Sequence, residues 1–258
     1  MSTLEIINKN NVTYLNLNRP EKFNSFNREM AIALQNALRQ SENDDNCRCV
    51  VISGNGKAFC AGQDLSEAID SNGPGILNIV TQHYNPIIKL IREIKKPVIA
   101  AVNGVAAGAG ANIAFCCDIV LASDNASFIQ AFSKIGLIPD SGGTFFLPRL
   151  IGLQRASALM MTGDKISAKE AQDMGLVYKV FSVDNFKTDV EKFAENIAQM
   201  PTQALVSTKI LLNKSFNNTL EEQLEFEAQF QNELSISYDY REGVNAFLEK
   251  RQAKFIGK

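Results

Sequence analysis

Two stretches of small residues and one isolated carboxylate are the parts of this sequence best suited to chemistry. Lys57-Ala58-Phe59-Cys60-Ala61-Gly62-Gln63-Asp64-Leu65 and Asn103-Gly104-Val105-Ala106-Ala107-Gly108-Ala109-Gly110-Ala111 each follow a short apolar run and precede a helix-like one. Minimal side chains let a ligand approach the main chain. Two peptide N–H groups at such junctions, reinforced by helix N-terminal dipoles, can hold an oxygen that becomes negative during a reaction. The same residues also suit tight packing of a strand against a helix. Asp140, in Ile138-Pro139-Asp140-Ser141-Gly142-Gly143, can carry a proton or can cap a helix starting near Ser141.

Other chemistries fit poorly. Gly54-Asn55-Gly56 would need a third glycine where Phe59 stands, and Gly56-Lys57-Ala58 lacks the Ser or Thr of a phosphate-binding P-loop. The single histidine, His83, has no Gly-x-Ser-x-Gly elbow to partner and is expected at the surface or an interface. Five cysteines, among them Cys47/Cys49 and Cys116/Cys117, form neither a disulfide framework nor paired thiolate ligands. Reduced thiols, no metal and a cytoplasmic location are therefore expected. With 26 Lys+Arg against 28 Asp+Glu, the chain lacks the basic excess of a nucleic-acid binder. Residues 1–10 have no apolar signal region. Residues 98–117 are uncharged and long enough to span a bilayer, but Asn103-Gly104 divides them into a buried strand and a helix, so no membrane role is expected.

The elements that must position these groups follow from periodicity. Residues 4–18 read as a hairpin turning at Asn10-Asn11. Asn27 caps a predicted helix to about 41, and residues 49–52 form a strand apolar on both faces. A helix is expected over 76–94, a strand from Val98 and another over 118–122. Strands alternating with helices imply crossovers and a largely parallel inner sheet. Beyond Pro148 the pattern is helical with little strand signal; Ser167-x-x-Glu170 is a capping box, and 220–234 is a charged amphipathic helix.

The two junctions resemble the oxyanion-hole segments of the crotonase, or enoyl-CoA hydratase/isomerase, superfamily. The likeness runs from Asn18-Arg19-Pro20-Glu21-Lys22-Phe23-Asn24-Ser25 to the C-terminus. Residues 59–65, 131–144 and 240–248 are most similar to the branch that isomerises the ring-1,2-epoxide of phenylacetyl-CoA. The resemblance implies an α/β fold, a ClpP-like spiral of β-β-α units over 1–195 with a helical trimerisation region over 196–258.

It also implies roles. The amides of Ala61 and Ala109 would grip a thioester oxygen. The two glutamates of hydratases fall on Asn112 and Phe132, which cannot act as general bases. Asp140 falls where isomerase members keep a single acid/base. Coenzyme A would contact Lys22, Phe23, Ser25, Gln63, Asp64 and Leu65, with Phe255 and Lys258 supplied by an adjacent subunit; Asp64 would order its loop. The acyl-CoA is the substrate, with no further cofactor. The implied assembly is a homotrimer or a dimer of trimers, with a hydratase as a possible partner. The readings this leaves open are an epoxide isomerase, a general Δ3,Δ2-enoyl-CoA isomerase, a hydratase and a non-catalytic subunit of a hydratase complex.

Overall fold

In the computed structural model, which describes residues 2–258, the strands follow one another in pairs. They are β1 (Leu4–Lys9), β2 (Val12–Leu17), β3 (Cys49–Gly54), β4 (Ala58–Cys60), β5 (Val98–Val102), β6 (Val105–Ala107), β7 (Ile119–Ser123), β8 (Ser127–Ile129), β9 (Lys165–Ser167) and β10 (Lys179–Phe181). One sheet has the order β1-β2-β3-β5-β7-β10 and the other β4-β6-β8-β9. Each of the pairs β3-β4, β5-β6 and β7-β8 thus gives one strand to each sheet. This is the expected repeating β-β-α winding.

Neighbours from β2 through β10 in the larger sheet are parallel. Every residue of β5 is buried, as a parallel strand covered on both faces requires. The opening hairpin is antiparallel and turns at Asn10 and Asn11, both left-handed at φ 51° and 61°.

The helices are α1 (Arg28–Asn43), α2 (Leu65–Ala68), α3 (Gly75–Asn78), α4 (Asn85–Glu93), α5 (Ala109–Cys116), α6 (Gly143–Ile151), α7 (Leu153–Thr162), α8 (Ala168–Met174), α9 (Phe186–Ala198), α10 (Thr202–Lys214), α11 (Leu220–Leu234) and α12 (Tyr238–Leu248). Asn27 caps α1 by accepting the Met30 N–H, and Ser167 and Glu170 form the capping box of α8. The larger core lies under α1, α4 and α5; α9 covers the opposite face of the six-stranded sheet through Phe186, Val190, Ala194 and Ala198.

Two expectations need correction. The helix expected over 76–94 is interrupted by a π turn, Ile79–Tyr84. Pro86 has no N–H for the Gln82 carbonyl four residues earlier. The Gln35 side chain, reaching in from α1, donates to that carbonyl at 2.8 Å and to the His83 carbonyl at 3.1 Å. The late chain also holds strands: β9 and β10 have three residues each, too few to show a period, and they join the sheet edges at β8 and β7.

The uncharged stretch 98–117 is divided into β5, β6 and α5, and no helix among the described residues is long and apolar enough to cross a membrane. The α10 helix is tied to the core by Lys209, whose Nζ meets Asp118 at 2.8 Å and donates to the Ile91 and Lys96 carbonyls.

Candidate active site

The parallel pairing of β4 with β6 brings the two small-residue junctions side by side. Their spacing leaves no room for side chains. A Cβ on Gly62, which holds φ 94°, would stand 3.0 Å from the Ala107 carbonyl oxygen and 3.7 Å from the Ala109 nitrogen. One on Gly110 would stand 2.4 Å from the Cys60 carbonyl oxygen. These glycines let one main chain lie against the other.

The Ala61 N–H does not match its expected role. It donates to the Phe23 carbonyl at 3.0 Å, and the Asp64 N–H donates to the Phe26 carbonyl at 2.8 Å. Between them, the Gln63 N–H has no acceptor among the described residues. The left-handed Gly62 turns the chain between the two bonded amides. Ala109, across the gap, is the first residue of α5, and its N–H is one of the helix's unpaired donors. The amides of Gln63 and Ala109 are therefore the pair available to an oxygen.

Both residues line a cavity of about 170 Å³, together with Tyr84, Phe132, Leu137 and Asp140. Apart from Asp140, its polar character is slight. The Asp140 carboxylate accepts from the Ser141 hydroxyl at 2.8 Å. Burial raises its pKa above the usual carboxylate range, and the Ser141 bond opposes that shift only in part. Ser141 sits at φ 51°, backbone that side-chain-bearing residues rarely adopt. Helix α6 starts at Gly143 with no side-chain cap, so the capping alternative for Asp140 is not realised.

Asn112 and Phe132, which resemblance places at the two glutamate positions of hydratases, both sit at this site. Asn112 is buried and fixes the Asp140 main chain. Phe132 is a wall, with its ring 3.7 Å from where a Cβ on Gly108 would lie. Cys60, beneath the floor, is an inert thiol, its pKa pushed by burial up to about 12.

Of the residues expected to hold coenzyme A, the chain gathers one group and separates another. Asn24 joins the loop holding Lys22, Phe23 and Ser25 to the first junction by donating to the Asn55 and Ala58 carbonyls at 2.9 and 2.7 Å. Lys22 is exposed, Phe23 is half-exposed and Ser25 is buried. Gln63 and Leu65 line the cavity. Asp64 caps α2 through the Ser66 N–H and pairs with Arg19 at 2.8 Å, which orders the loop. Phe255 and Lys258 lie elsewhere in the chain: the Phe255 ring packs over Gly243, and the Lys258 carbonyl accepts from the Asp239 N–H.

His83 is the other correction. It is buried in the π turn, not exposed, and neither ring nitrogen has a hydrogen-bond partner among the described residues. Burial lowers its pKa, which keeps the ring neutral. Among the described residues no three His, Cys, Asp or Glu side chains cluster as a metal site would require. Tyr84 was invisible in the sequence as a site residue. The cue lay two positions on, in Pro86, whose missing N–H leaves the Gln82 carbonyl without a helical partner beside the π turn that carries Tyr84 to the cavity.

The chain is similar to known proteins over nearly its whole length. A 1,2-epoxyphenylacetyl-CoA isomerase from Escherichia coli (strain K12) is 45% identical over 96% of this chain and 95% of its own. A probable enoyl-CoA hydratase from Rhodobacter capsulatus is 41% identical over 95% of this chain and 94% of its own. The crystal structure of an enoyl-CoA hydratase from Bacillus anthracis superposes with a TM-score of 0.92, at 34% identity, covering 99% of this chain and 100% of that one. The enoyl-CoA hydratase/isomerase family pattern matches residues 7–258, and the chain belongs to that family.

Proposed function

We propose that the protein is an acyl-CoA isomerase in which the Gln63 and Ala109 amides hold the thioester oxygen and Asp140 moves a proton. The observation that carries this reading is a single carboxylate facing a largely apolar cavity beside two unengaged main-chain donors, with Asn112 and Phe132 unable to serve as a second acid/base. With the thioester oxygen held, a proton on the neighbouring carbon becomes acidic because the carbanion delocalises onto that oxygen as an enolate. Each such donor is worth on the order of 3 kcal/mol in related sites. Asp140 takes this proton and returns it to a carbon further along the acyl chain. The double bond moves, and no water is consumed.

The ring-1,2-epoxide of phenylacetyl-CoA is the substrate we favour, following the E. coli relative. Conversion to the seven-membered oxepin breaks the ring bond within the epoxide and conserves every atom, so it needs no co-reactant. The cavity suits a ring: a space of about 150 Å³ is enough for benzene. Phe255 and Lys258 would reach coenzyme A from a neighbouring copy in a trimer or a dimer of trimers, with 196–258 as the assembly region and 1–195 as the catalytic core.

The test is a comparison of kcat/KM for the ring epoxide, a 3-enoyl-CoA and hydration of a 2-enoyl-CoA, with and without Asp140→Asn. Isomerisation should dominate and fall about 10³-fold in the variant, the middle of the range for loss of a positioned acid/base. Faster hydration, or full isomerase activity in Asp140→Asn, would overturn the reading.

A further inference from the structure

Tyr84 is fully buried, lines the cavity and has no part in the chemistry above. Its hydroxyl lies 2.8 Å from the Gln63 Oε1. The other end of the Gln63 side chain donates to the Glu67 Oε2 at 2.9 Å and to the Asp64 carbonyl at 3.3 Å. Only one orientation of the amide works. A carboxylate and a carbonyl accept and cannot donate, so the NH₂ group must face them and the oxygen must face Tyr84. Glu67 is held in turn by the Arg28 N–H at the start of α1. Gln63 is thus clamped at both ends, and Tyr84 is the clamp on the cavity side. Tyr84 is itself placed by the π turn that Gln35 pins from α1.

We propose that Tyr84 is a positioning residue for the oxyanion site: its hydroxyl, acting through the Gln63 side chain, keeps the Gln63 N–H aimed at the thioester oxygen. This rests on the role proposed above for the Gln63 amide. Burial keeps the Tyr84 hydroxyl protonated and therefore a donor at all working pH values. The aromatic contact of Tyr84 with Phe26, ring centroids 5.7 Å apart, does not depend on the hydroxyl, so Tyr84→Phe separates positioning from packing.

Acetoacetyl-CoA is the probe, because its enolate places negative charge on the thioester oxygen and absorbs in the near ultraviolet. In Tyr84→Phe the apparent pKa of the bound probe should rise by about one unit and kcat should fall about tenfold, with KM and the affinity for free coenzyme A within twofold. Gln63→Met should give the same losses, and Tyr84→Phe added to Gln63→Met should cost less than twofold more. If Tyr84→Phe does not fold, Gln63→Met carries the same readout. Unchanged kcat and probe pKa in the variant that folds, or a rise in KM alone, would overturn the proposal. If the native protein binds acetoacetyl-CoA without lowering its pKa, the oxyanion reading itself fails and this proposal falls with it.

Discussion

The Asn112 side chain donates to the Asp140 carbonyl at 2.9 Å while its own oxygen accepts from Gln130 at 2.8 Å. A helix residue at a position where the resemblance puts a hydratase glutamate is here a bracket that holds the acid-bearing loop. A Cβ on Gly143 would come within 2.4 Å of the same amide, so the loop is seated directly on it. Replacing Asn112 by Leu should strand the Gln130 amide, at about 1–3 kcal/mol for a buried orphan, while the Asp140 carbonyl loses its tie to α5 and keeps the Gly143 N–H at 2.8 Å. Urea denaturation would measure that loss, and kcat should fall with it because the Asp140 loop is released.

Asp140 should set the acidic limb of the pH–rate profile. Its carboxyl must be ionised to take the first proton, and burial raises its pKa. The midpoint of kcat/KM against pH should therefore lie above about 3.9, the value of an unperturbed aspartate. A midpoint at or below that value would mean that Asp140 is more solvated than its position in the cavity implies.

The same shift predicts a gain in stability from Asp140→Asn. A raised folded-state pKa means that the folded protein binds the proton more tightly than the unfolded chain. Stability is then lost as pH rises from the ordinary carboxylate range through the raised value. At neutral pH the wild type carries this full penalty, and the asparagine variant carries none. Thermal midpoints should favour the variant at pH 7, with the difference vanishing at low pH.

Gly62→Ala should abolish activity and weaken coenzyme A binding. The new Cβ would press on the Ala107 carbonyl at 3.0 Å, and φ 94° is strained for alanine. The peptide carrying the Gln63 N–H has to turn, and because its carbonyl accepts from the Phe26 N–H at 2.7 Å the segment around Lys22 is disturbed with it. Calorimetric titration with coenzyme A beside a turnover assay checks both halves of this expectation.

Lys209→Met should destabilise the protein by about 3–5 kcal/mol, the usual cost of stranding one member of a buried ion pair. Asp118 keeps Arg92 at 3.1 Å and the Val98 N–H at 2.8 Å, so the loss should fall toward the lower end of that range. Chemical denaturation reads it directly.

Much of the scaffold was legible in the chain itself. Both-face-apolar runs such as Cys49-Val50-Val51-Ile52 marked the inner strands, the cap residues Asn27 and Ser167 marked helix starts, and Asn10-Asn11 marked the hairpin, because each of these signals acts over a few neighbouring residues. Two small-residue junctions and a solitary Asp140 were visible as chemical candidates for the same reason. Which amide was free was not visible. Ala61 and Gln63 are two residues apart in similar surroundings, and only the approach of the Phe23 carbonyl decides that Ala61 is occupied and Gln63 is open. Tyr84, Gln35 and the burial of His83 were equally hidden, since each depends on a contact between segments tens of residues apart. Local pattern determines which elements form; the partner of each polar atom is settled when distant segments exclude water from one another and every buried donor has to find its acceptor.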